Sequence, residues 1–334
     1  VSFRLRLALF VIGLSLAAGL IAHVGVDTLL EHLATVGWLM LPVVAIWGVV
    51  YACYTASWSA LLRTEPTHPG YVRTFAITVS SFALNFVTPV MGFGGEAYRV
   101  AAAAPWLGRQ RAFGSVVQYR LLHSLGHMLF ILTAVVPAIW LLPGTPAAIS
   151  LLIMTAGIGV VAGWFLLRRH QEGILEAGLD LLLLIPGIRR FGRKLESHRP
   201  VLRDLDAQIT TVYHQHAGAF WRALAIEYLS RYAMAMELTV VFWSLGLGFR
   251  PETAIVASAL STTISNLFFF LPLELGVREG GLFLVFGMLG VGAENGVFAA
   301  VVTRLREFTW MLVGIGLLWV SGGSIRATTG EEQE

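Results

Sequence analysis

The stretch PVMGFGGEAYR, residues 89–99, decides how this chain is read. A proline, three glycines, a glutamate and an arginine are poor material for a membrane helix, yet apolar sequence flanks them on both sides. The surrounding chain is 56% hydrophobic and 13% charged over 334 residues, with a mean hydropathy of +0.73. Soluble domains are about a quarter charged, so the composition specifies an integral membrane protein. Backbone groups left unsatisfied in lipid are costly, which leaves helices or a closed barrel as the spanning structures. Long unbroken apolar runs, not short alternating ones, select an all-α protein.

A spanning helix needs ~20 apolar residues. Full spans are expected at about 5–25, 37–61, 112–142, 147–167, 219–247 and 297–320. Two further units, 71–104 and 252–290, are apolar but interrupted by proline, glycine and charge, and are expected to be broken or re-entrant helical hairpins. The run after Arg4 and Arg6 is expected to be the first span and not a signal peptide, because it is long and shows no small-x-small cleavage site. Between the fourth and fifth spans lies a basic, amphipathic elbow, 168–217, of the kind that rests in a membrane interface. Residues 1–320 thus form one polytopic domain, and 321–334 are expected to be a disordered tail.

Positive charge orients this layout. With the N-terminus inside, Arg63, Arg73, Arg99, Arg109, Arg111 and the elbow cluster all fall on the cytoplasmic side, and the external loops carry only Arg250. Both termini are then cytoplasmic, in a bacterial-type inner membrane. The basic balance, a net charge of +3, serves topology and anionic lipid and gives no reason to expect nucleic acid. The single cysteine, Cys53, excludes an intramolecular disulfide framework and is expected to be a buried packing residue.

The two broken units echo each other. Pro89 precedes Glu96 by seven residues, and Pro272 precedes Glu279 by seven. Asn85 and Asn266 lie ahead of the prolines; Arg120 follows Glu96 by 24 residues, and Arg304 follows Glu279 by 25. Three full spans separate the units, so the copies, about 37–142 and 219–320, enter from opposite faces as an inverted-topology repeat. In such proteins the substrate sits near the midplane, where freed N–H groups and helix ends can hold an anion.

This order of motifs, N-x-x-x-P, G-G-E-x-x-R, an arginine-bearing helix and a late P-x-x-x-G-x-x-E, resembles the lysylphosphatidylglycerol synthase/flippase transmembrane family over roughly 5–320. The resemblance implies a domain that moves aminoacylated phosphatidylglycerol between leaflets. It places substrate contacts on Asn85, Pro89, Gly94, Gly95, Glu96, Arg99 and Arg120, and on Pro272, Gly276, Glu279 and Arg304; Arg278, beside Glu279, is added as a headgroup contact. No aminoacyl-transferring domain is expected after residue 320, so lysyl-lipid synthesis is not assigned.

The expected function is therefore a lipid flippase for an anionic or aminoacylated phospholipid, or a related lipid-linked headgroup. Ionisable groups at depth normally have partners or a wet cavity. Glu96, His123, His127, Glu237 and Glu279 are the candidate proton-coupling residues, and no cofactor, metal or catalytic residue is expected. His123 and His127 have the spacing of a zinc pair but lack a third ligand in the motif. Glu227 and Arg231 read as a structural i, i+4 pair, and Glu237 as having no local partner. A membrane-embedded transferase or hydrolase and a proton-coupled carrier of a small anion are the alternatives. Membrane lipids are the expected partners; a homodimer and a separate lipid-modifying enzyme are compatible with the reading.

Overall fold

The computed structural model describes residues 27, 30, 31, 34, 36–87, 94–169, 174–184, 196, 197, 199–268, 274 and 276–330. The expected span 5–25, Pro89, Pro272 and the basic run 189–194 lie outside the described residues. Among the described residues the chain is helical, with no strand.

Helix α1 (Met40–Leu62) follows a single 3-10 turn. Helices α2 (Tyr71–Val87) and α3 (Gly94–Leu107) make up the first broken unit, and α4 (Arg109–Leu141) follows it. Helix α5 (Pro146–Arg169) leads to the elbow helices α6 (Ile174–Leu184) and α7 (Arg199–Gln215). Then come α8 (Ala217–Ser244), α9 (Pro251–Leu267), α10 (Val277–Met288) and α11 (Ala293–Gly330). Local signals explain several boundaries. Pro251 occupies the first turn of α9 with Glu252 beside it, where a missing N–H costs nothing and a carboxylate meets the positive end of the helix. Gly108, at φ 76, turns the chain from α3 into α4. Helix α11 continues through Gly330, into the segment expected as a disordered tail from 321.

Among the described residues two large apolar cores hold the bundle, beside a small cluster of Phe130, Ala134, Ala235 and Ala259. One gathers Trp58, Tyr119, Leu122 and Phe220; the other gathers Phe242, Val285, Phe286 and Phe298. Helix α1 joins both, with Val43 in the second and Trp58 and Leu61 in the first. Helix α8 does the reverse, with Phe220 and Leu224 in the first and Val241 and Phe242 in the second. The pair therefore runs antiparallel and pins the cores together. Ala254, Ala257, Ser258 and Ala259 are buried on α9; small residues let helices approach closely without a large apolar driving force.

The surface is greasy and the interior polar. Trp140, Trp319 and Val72 are more than 80% exposed, while Glu227, Arg231, Glu237 and Arg306 are buried. Trp38 precedes α1, Trp140 and Trp243 end α4 and α8, and all three are exposed, as aromatic anchors at an interface would be. Among the described residues, Gly37–Leu62 and Arg109–Leu141 are long and apolar enough to cross a membrane by themselves. Helices α8 and α11 are also long, but their mid-length charges face inward. Cys53, expected to be buried, is half-buried.

The elbow is built by one carboxylate. Asp206 on α7 accepts hydrogen bonds from the Leu175 and Glu176 N–H groups, both at 3.0 Å, and so caps the start of α6. Arg199 and Arg203 on α7 bind Glu176, which fixes the hairpin as a unit.

Candidate functional site

Charged residues converge between the two cores around two adjoining chambers. The larger, about 730 Å³, is bordered by residues of α1, α2, α3, α4, α5, α8 and α9. The smaller, about 200 Å³, lies toward α10 and α11. Trp47, His127, Met234, Thr262, Asn266 and Glu274 border both, so they form the passage between them.

The first broken unit reaches the larger chamber through Asn85, Glu96 and Arg99. Its geometry accounts for the G-G-E motif. Asn85, near the end of α2, accepts a 2.7 Å hydrogen bond from the Gly95 N–H and thereby caps α3. A Cβ at Gly95 would collide with the Ser81 carbonyl and the Asn85 side chain. Glycine is the residue that permits this contact, and Gly94 opens the same helix. Gly95→Ala is expected to cost about 1–3 kcal/mol through overpacking, read as a lowered midpoint of thermal unfolding in detergent. An unchanged midpoint would show that α2 and α3 are not in contact here.

Glu96 lies 3.4 Å from Arg120 on α4, and Glu279 lies 3.1 Å from Arg304 on α11. The matched spacings in sequence thus correspond to the same brace beside each broken unit: a carboxylate in the first turn of the short helix, held by an arginine on the next. The two ends differ, however. Glu279 also accepts the Gly276 N–H at 2.8 Å, with Gly276 at φ 77, and closes the start of α10. Among the described residues, Gly276, Glu279 and Arg304 do not border either of these two chambers. Both carboxylate oxygens of Glu279, expected to touch substrate, are bonded within the protein, one to the Gly276 N–H and one to Arg304. From the second unit it is Glu274 that enters both chambers, on a backbone at φ 52, a region unfavourable for a non-glycine residue. Arg278 borders the smaller chamber and bridges Glu274 at 2.9 Å and Glu307 at 2.5 Å.

Glu237, read from sequence as lacking a partner, has two. Arg306 grips it at 3.0 and 3.1 Å, and the Trp47 indole N–H donates to it at 2.7 Å. The Arg306 guanidinium also stacks 3.7 Å from the Trp47 ring centroid. These partners come from α1 and α11, far away in sequence. Glu227 is engaged similarly. Arg231 approaches it at 3.3 Å and His123 at 3.0 Å, while Arg231 donates to the Tyr54 hydroxyl at 2.7 Å. The expected Glu227–Arg231 pair is present, widened into a three-helix network.

His123 and His127 both border the larger chamber. Among the described residues no group of three His, Cys, Asp or Glu side chains is arranged to hold a metal. Several buried polar atoms bordering this chamber have no protein hydrogen-bond partner: Arg99 Nε and Nη1, Glu96 Oε2, His127 Nε2 and Thr78 Oγ1. Buried groups of this kind need water or a ligand.

The sequence profile of the lysylphosphatidylglycerol synthase TM region matches residues 5–316. The chain belongs to that family. A relative described as a UPF0104 membrane protein, from Methanothermobacter thermautotrophicus, is 22% identical over 324 residues, covering 92% of this chain and 93% of the relative. No solved structure matches the chain. Membership of a transmembrane-region family agrees with the greasy exterior and makes this a membrane protein. Sequence reasoning had missed Trp47, Tyr54 and Met234 as chamber residues. Each is an ordinary packing residue in its own helix, and no local pattern marks them.

Proposed function

We propose that this protein carries the headgroup of an anionic or aminoacylated phospholipid, or a related lipid-linked headgroup, between leaflets, while the acyl chains stay in the bilayer. The observation that carries this reading is the larger chamber: about 730 Å³, lined with charge, within a family of membrane domains. That volume lies in the range of small-ligand sites, roughly 300–1,000 Å³. Its polar lining would replace headgroup hydration at depth.

An inverted-topology repeat underlies the mechanism. Two features support it. The order long helix, two short helices, long helix occurs twice, as α1–α4 and α8–α11. The packing is also reciprocal: α2 lies against α11, and α9 against α4. The halves would rock about the antiparallel α1–α8 pair, exposing the chambers to one leaflet and then the other. In this reading the protein lies in the cytoplasmic membrane with both termini inside, and acts as a carrier with no chemistry of its own.

The test is reconstitution of the purified chain into phosphatidylcholine vesicles holding a trace of labelled phosphatidylglycerol or lysyl-phosphatidylglycerol. Transbilayer redistribution should exceed that of protein-free vesicles, and mass spectrometry should find both headgroups unaltered. Redistribution at the protein-free rate for both lipids, or conversion of either into a product, overturns the reading.

A further inference from the structure

We propose that the larger chamber is a phosphate seat anchored by Arg99, so that the carrier reads the phosphoryl oxyanion of its cargo and not an amine. This rests on the carrier reading above and names the chemistry of the same site. Arg99 is only 6% exposed, on α3, with its guanidinium 4.7 Å from the Tyr119 ring centroid and 5.3 Å from that of Trp58. Its Nε and Nη1 have no hydrogen-bond partner, yet the residue borders the chamber. The Tyr119 hydroxyl engages the guanidinium, but buried N–H groups left without an acceptor, as at Nε and Nη1, are costly. The guanidinium's fork geometry matches two oxygens of a phosphate. Aromatic walls hold it in place without neutralising it.

The neighbouring arginines do not share this condition. Arg120, Arg231, Arg278, Arg304 and Arg306 each hold at least one glutamate. The charged residues that border the larger chamber, Arg99, Arg120 and Arg231 against Glu96 and Glu274, leave one positive charge there. Toward the smaller chamber, Arg278 and Arg306 serve Glu237, Glu274 and Glu307, which leaves one negative charge there. An oxyanion therefore rests in the larger chamber and is repelled by the smaller one. A cationic group has no comparable seat beside Arg99, because the carboxylates bordering that chamber, Glu96 and Glu274, already face arginines. Glu96 Oε2, which is unbonded, can still accept a hydroxyl from the alcohol that the phosphate esterifies.

The same oxyanion could come from a lipid headgroup or from free phosphate, and the experiment separates them. The purified chain in a phosphate-free maltoside detergent is titrated with phosphatidylglycerol, with inorganic phosphate, and with a phosphate-free dialkyl-dimethylammonium lipid. Binding is followed by native mass spectrometry. Phosphatidylglycerol should bind, the ammonium lipid should not compete with it, and inorganic phosphate should compete only at far higher concentration. Arg99→Gln should weaken phosphatidylglycerol binding by roughly 10–100-fold, the scale of a lost charge-assisted bond. Arg99→Lys keeps the charge without the fork and should fall between, which decides the matter if Arg99→Gln does not fold. Arg111→Gln, which removes an exposed cation paired with Glu65, should bind as the parent does. Inorganic phosphate binding as tightly as phosphatidylglycerol, and dependent on Arg99, would keep the phosphate seat and sink the lipid-carrier reading. Parental phosphatidylglycerol binding in both Arg99 variants, or equal binding of the ammonium lipid, would overturn the phosphate seat, and the vesicle assay would still judge the carrier.

Discussion

Arg306→Gln should destabilise the folded protein by about 3–5 kcal/mol, the usual result of stranding one member of a buried ion pair. Glu237 and Arg306 are 4% and 3% exposed, and the bidentate contact between them ties α8 to α11. Without Arg306 the glutamate keeps only the Trp47 indole N–H as a donor, and the cation stacked on Trp47 is lost as well. Unfolding of the purified chain followed by tryptophan fluorescence gives the measurement. The paired replacement Glu237→Leu with Arg306→Met should recover most of the loss, since well-packed apolar pairs often equal buried ion pairs. A loss below about 0.5 kcal/mol for Arg306→Gln alone, the range of ordinary surface changes, would mean that the α8–α11 contact is not formed.

Met234→Trp should slow lipid redistribution by about 10–100-fold while leaving the protein folded. Met234 borders both chambers, at the passage between them. A headgroup forced past the larger ring must displace packed side chains at about 1–3 kcal/mol, which converts to that range of rates. Leu312→Trp, on an exposed position of α11, is the matched control and should transport at the parental rate. Parental flux through the Met234 variant would place the route elsewhere. Together the two substitutions separate the frame from the path.

Much of this was legible along the chain. Composition specified the membrane class, and apolar periods placed α1, α4, α5 and α8 within a few residues of their observed bounds. The interrupted units were legible because proline and glycine act locally on the backbone. The Glu96–Arg120 and Glu279–Arg304 braces were foreshadowed by their nearly equal spacings, since each arginine lies on the helix that directly follows its glutamate. The match of motifs did not reveal their inequality. Glu279 is used up at the start of α10, and the role of chamber carboxylate passes to Glu274, whose position depends on a left-handed backbone turn.

What the sequence determined alone was the membrane class, the broken helices and the charges that repeat beside them, because these follow from hydropathy and from interactions within a few helical turns. Only the tertiary structure decided which charges are neutralised and which remain available. Trp47, Glu237 and Arg306 meet across separations of 190 and 69 residues, and Arg99 is left over once Arg120, Arg231, Arg278, Arg304 and Arg306 have found their carboxylates. Pairing at that range depends on how α1 and α8 cross between the two cores, and no local pattern in the chain encodes that crossing.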